Sequence, residues 1–155
     1  MNRTRRYRIL AVVGALSMAG LMLGTTVPAS AKAAKAPSIK YTPKGGLTNG
    51  SMVQVTGKNF PTSAVLYVVQ CVTADQSLTG GGCNIANDVA AGAVSSKGSW
   101  GPVTLTLKTG QIGKDPGTCG TTKADAKACS VSVGTATGAD AVQVGIKFVI
   151  PKASK

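Results

Sequence analysis

The chain has 155 residues and a net charge of +12, with no His and no Glu, and all four of its arginines fall within the first eight residues. Beyond that segment the charge is +8, carried by 13 lysines against five aspartates. A Ser–His–Asp or Cys–His centre is therefore excluded, general acid–base chemistry is left with Asp, Lys and Tyr, and no arginine remains to read bases in a sequence-specific nucleic-acid complex.

Arg3, Arg5, Arg6 and Arg8 precede an apolar run over residues 9–24, and Pro28-Ala29-Ser30-Ala31 then offers a small-x-small cleavage site. This is the layout of a secretory signal peptide over 1–31, cut after Ala31. The run is shorter than the roughly 20 apolar residues of a membrane-spanning helix. A secreted product is expected, with no stable membrane insertion once the signal is removed. Residues 32–38 read as a flexible N-terminal segment, 39–150 as one domain and 151–155 as a C-terminal tail. A monomer is expected, and the dispersed lysines favour solubility with weak attraction to anionic polymers.

Between leader and tail, short β-rich runs alternate with Gly, Asn, Ser and Pro clusters, the pattern of an all-β sandwich or barrel. Seven strands are expected. The first, 39–43, sets Ile39 and Tyr41 on one face. Strand 51–58 is entered through Thr48-Asn49-Gly50 and points Val53 and Val55 inward. The nearly all-apolar 64–72 reads as a central strand covered on both faces, and 89–95 is a weaker, Ala- and Gly-rich strand. Strand 102–108 buries Val103, Leu105 and Leu107, strand 130–134 buries Val131 and Val133, and 141–150 aligns Val142, Val144, Ile146, Phe148 and Ile150. Strict period-two spacing gives each strand one buried face, and two such sheets bury each other. Trp100 lies beside the turn at Ser96-Lys97-Gly98 and is expected to pack at one end of the sandwich.

Cys71, Cys83, Cys119 and Cys129 all fall in the exported part, so disulfides are expected. Of three possible pairings, proximity favours Cys71 with Cys83 and Cys119 with Cys129. Each closes a short loop that the chain-entropy account credits with about 3 kcal/mol. Spacings without any His give no zinc site, and Asp75, Asp88, Asp115, Asp125 and Asp140 are spaced as turn residues, not as calcium ligands or a catalytic pair. No catalytic residue and no metal site is assigned. Gly80-Gly81-Gly82 reads as a disulfide loop, since no phosphate-binding motif surrounds it. The irregular loops at the sandwich ends remain as the place to bind a ligand.

Tyr41-Thr-Pro-Lys-Gly-Gly-Leu-Thr-Asn-Gly50, Val53-Gln-Val-Thr-Gly57, Tyr67-Val-Val-Gln-Cys71, the Cys83-Asn84 pair, Gly117-Thr-Cys119 and Val144-Gly-Ile-Lys-Phe148 occur in order across 36–149. This set resembles the neocarzinostatin-type antibiotic apoproteins. The resemblance implies an immunoglobulin-like, seven-stranded antiparallel β-sandwich with two short-loop disulfides, paired first to second and third to fourth. It also implies a non-enzymatic protein in an antimicrobial setting, holding an apolar small molecule. Such proteins shield a non-covalently bound, reactive enediyne chromophore, and DNA is acted on only through that chromophore; no other cofactor is implied. Matching positions nominate Cys71, Thr73, Leu78, Cys83, Val89, Ile112 and Ser130 as a ligand-binding cleft.

Those carriers place aromatic rings in the cleft, and this chain departs from them. Val72-Thr73-Ala74, Ile85-Ala-Asn-Asp-Val89 and Thr109-Gly-Gln-Ile-Gly-Lys-Asp-Pro-Gly117 contain none, which removes stacking worth about 0.5–1.5 kcal/mol per ring pair. The alternative is an extracellular structural or adhesion-type immunoglobulin-like module that has lost the chromophore site.

Overall fold

Apolar side chains at every second position drive the chain into strands with one oily face each. The computed structural model describes residues 34–73, 81–115, 117–138 and 141–152, all of them within the unit Ala33–Lys155. The signal segment, Leu78 and the last three residues lie outside the described residues. Strands β1 (Ser38–Thr42), β2 (Met52–Lys58) and β5 (Trp100–Thr106) form one antiparallel sheet in the order β1-β2-β5. Strands β3 (Leu66–Val72), β4 (Val89–Ala90), β8 (Cys129–Thr135) and β9 (Val142–Ile146) form a second in the order β4-β3-β8-β9. A small ribbon pairs β6 (Gly110–Gln111) with β7 (Thr118–Cys119).

The two larger sheets supply the seven strands of the expected sandwich. In β1, Ile39 and Tyr41 are buried between exposed neighbours, and β2 buries Val53, Val55 and Gly57 in the same alternation. These side chains meet Leu66, Val68, Val131, Val133 and Ile146 from the other sheet, with Leu47, Leu105, Leu107 and Phe148 closing the core. Each such aliphatic side chain contributes roughly 1.5–3 kcal/mol by leaving water. Trp100 is buried as well and meets Phe60 edge-to-face at 5.7 Å.

Several strand bounds differ from those read in the sequence. Residues 89–95 keep only Val89 and Ala90 in the sheet. The Ala91 N–H still donates to the Leu66 carbonyl, but Gly92 then takes φ +76° and turns the chain out of the ladder, a conformation side chains with a Cβ resist. The last strand stops at Ile146. Beyond it the Phe148 N–H turns to Ala126 and the Val149 N–H to Leu47, so Phe148 stays in the core but leaves the sheet. Val65 precedes β3 and is 65% exposed.

Polar atoms also join the sheets. Gln70, on β3, is fully buried; its amide donates to the Lys108 carbonyl (2.7 Å) and accepts the Lys108 N–H (2.8 Å). Lys108 lies just past β5, so one side chain satisfies a piece of backbone that no strand pairs. The Tyr41 hydroxyl donates to the Gly145 carbonyl at 3.1 Å, a second bond from one sheet to the other.

Candidate functional site

Consecutive residues of a strand point to opposite faces, and β3 uses this at Gln70-Cys71. Gln70 faces the main core, while Cys71 faces out with Val69. Both belong to a separate apolar cluster completed by Cys83. Cys71 and Cys83 are bonded, as are Cys119 and Cys129. The segment around Cys83 lies along β3 as a partial extra strand, the Val72 N–H donating to the Gly82 carbonyl and the Asn84 N–H to the Gln70 carbonyl, each at 2.9 Å. A single 3-10 turn, Ile85–Asn87, follows, held by a 2.9 Å bond from the Asn87 side-chain amide to the Asn84 side-chain carbonyl.

A cleft of about 390 Å³ opens between this loop and the β6–β7 ribbon. One wall is Gly81, Cys83, Asn84, Ile85 and Ala86; the other is Ile112, Gly113 and Lys114. Its size lies within the range of about 300–1,000 Å³ of small-molecule sites. The walls touch at their base. The Asp115 N–H donates to the Gly81 carbonyl at 3.0 Å, and a Cβ at Gly113 would lie 1.7 Å from that same oxygen. Ile85 is half exposed and Ile112 is buried, so a guest would meet aliphatic surface on both sides. Lys114 is the ionisable side chain among the described lining residues, because Cys83 is committed to its disulfide. The arrangement can hold an apolar molecule and place an ammonium at its rim.

Of the positions expected from the sequence, Cys83 and Ile112 line this cleft. Cys71 lies beneath it, buried and bonded to Cys83. Ser130 is opposite Cys71 in the β3–β8 register and buried, its hydroxyl 3.5 Å from the Cys71 carbonyl and 3.2 Å from the Ser132 hydroxyl. Val89 pairs with Val68 and packs on the main core. Thr73 is exposed and gives its N–H to the Ala128 carbonyl. Leu78 lies outside the described residues. Gly81, Asn84, Ile85, Ala86, Gly113 and Lys114 also line the cleft; none was nominated as a cleft residue, though all but Gly81 lie in the Cys83-Asn84 pair or the two segments noted for lacking aromatic rings.

The neocarzinostatin family matches this sequence over residues 39–148. The chain belongs to the neocarzinostatin family. Macromomycin from Streptomyces macromomyceticus is 28% identical to it over 141 residues, spanning 88% of this chain and 92% of that protein. A solved structure of macromomycin aligns with a TM-score of 0.54 at 24% identity, over 74% of this chain and 100% of the other, a likeness of fold. The immunoglobulin-like sandwich expected of a neocarzinostatin-family protein is the architecture present, with both short-loop disulfides in place. Among the described residues no helix is long and apolar enough to cross a membrane.

Proposed function

We propose that this neocarzinostatin-family protein is a non-enzymatic carrier, exported by cleavage after Ala31, that holds an apolar small molecule of the enediyne-chromophore type between the Cys71–Cys83 loop and the β6–β7 ribbon. The observation that carries this reading is the cleft itself, aliphatic on both walls and rimmed by a lone ammonium. Its proposed contacts are Cys83, Asn84, Ile85 and Ile112, with Cys71 and Ser130 beneath. Any action on DNA would belong to the released guest, and the setting is antimicrobial.

Protein recovered from the culture fluid of its natural host should carry a non-covalent small-molecule adduct in native mass spectrometry. Ile85→Asp should abolish the adduct while leaving the sandwich folded, because Ile85 is half exposed and a carboxylate at the cleft wall opposes an apolar guest. Recovery of bare protein that also takes up nothing from the host's organic extract would overturn carriage.

No aromatic ring is present among the described lining residues, and this favours a second reading, an extracellular immunoglobulin-like module without a guest. That module would adhere to anionic cell-surface polymer and detach in high salt.

A further inference from the structure

We propose a second ligand site, independent of the carriage reading, in which three lysines hold a compact amphiphilic anion, a carboxylate head group on an apolar body. It is a cleft of about 440 Å³ that shares no residue with the first. Lys44, Lys123 and Lys147 line it together with Ala126, Phe148 and Ile150.

Three separate segments build this cleft, and backbone bonds fix them to one another. Leu47 bridges Phe148 in parallel, the Val149 N–H donates to the Leu47 carbonyl at 2.8 Å, and the Phe148 N–H donates to the Ala126 carbonyl at 2.9 Å. The loop carrying Lys123 is closed by the Cys119–Cys129 disulfide and gathered around Asp125. That carboxylate accepts from the Thr118 hydroxyl (2.9 Å) and from the Thr121 and Thr122 N–H groups (3.0 and 2.7 Å). The backbones beside Lys123 and Lys147 are therefore set by the fold, and Lys44 lies three residues before the Leu47 anchor.

Charge and polarity then select the guest. No Asp lines the cleft, and no ion pair engages these lysines among the described residues. Asp125, the nearest carboxylate in sequence, is held ionised by the threonines and offsets part of this charge, leaving the three ammonium groups in excess. Gathering three ammonium groups is unfavourable by itself, and an anion placed among them relieves the repulsion. Ala126, Phe148 and Ile150 supply an apolar floor on which an apolar body displaces water. Lysine suits a single compact head group, presenting a point charge on a flexible stem. The three lysines line one hollow, which favours a small anion over an extended polyanion.

The test is a titration of the ¹⁵N-labelled protein with decanoate, followed by amide shifts. Saturable shifts are expected at residues 44–47, 123–126 and 147–150. Decanol and inorganic sulfate, each carrying half of the required chemistry, should bind at least tenfold more weakly. The triple variant K44Q/K123Q/K147Q should lose at least tenfold in decanoate affinity, whereas K58Q/K97Q should bind as the parent does. All these lysines are exposed, so the variants are expected to keep the fold. The proposal fails if sulfate alone matches decanoate, if a polyphosphate chain binds these residues more tightly than decanoate, or if the triple variant binds normally. It also fails if decanoate shifts Ile85 and Ile112 instead, an outcome that leaves the carriage reading standing.

Discussion

Asp125 shows how much a single carboxylate can organise without a charged partner. The Thr121 hydroxyl, the Thr122 N–H and the Thr118 hydroxyl all donate to it, and together they hold it well below the ordinary carboxylate value of 3.8. Hydrogen bonds to the ionised form act in this direction. Because the folded-state value is depressed, the stabilisation is complete above the unfolded value, declines as pH falls below it, and is gone once pH has fallen through the folded one. The 120–126 loop should thus stay ordered at pH 3, with slow exchange of the Thr121 and Thr122 amides, while Asp125→Asn should loosen it at every pH. A ¹³C titration placing the Asp125 midpoint at or above 3.8 would contradict this account. Gln70 is the apolar core's polar counterpart. Gln70→Leu would remove the partner of the Lys108 N–H and C=O, and urea denaturation should register a loss of about 1–3 kcal/mol, from two part-buried backbone groups left short of a hydrogen bond. The sequence showed Gln70 only as half of a Gln-Cys motif, because its partner is backbone 38 residues away, and no side-chain pattern announces a backbone partner.

Among the elements, the long strands were legible and the short ones were not. Alternation in β2 and in 102–106 mirrors their pairing, Val53 opposite Leu105 and Val55 opposite Val103. Periodicity needs several residues to register, so the two-residue strands of the β6–β7 ribbon escaped it, and so did the early end of 89–95 at Gly92. The ribbon matters because it forms a cleft wall, and its contact with the disulfide loop depends on the lack of a side chain. Gly113→Ala would drive a methyl group into the Gly81 carbonyl oxygen. The walls would have to part, breaking the Asp115 N–H bond to Gly81. A cost of about 1–3 kcal/mol is expected, typical of overpacking, together with faster exchange of the Asp115 amide.

For the whole molecule, composition told more about chemistry than about place. A chain without His or Glu has few groups for acid–base chemistry, and the ordered motifs pointed to the family that residues 39–148 match. The lysine-lined hollow stayed invisible in the sequence. Lys44, Lys123 and Lys147 are spread over a hundred residues and meet only because Phe148 leaves the sheet toward Leu47 and Ala126.

Adjacent side chains of β3 have a joint consequence for evolution. Gln70 steadies the backbone that leads into the ribbon, and Cys71 tethers the opposite loop through Cys83. Both cleft walls are thus tied to β3, and the ribbon is tied to β8 as well through the Cys119–Cys129 disulfide. On the carriage reading, new guest preferences would be reached by substitution at residues 84–86 and 113–114, where change leaves those ties untouched.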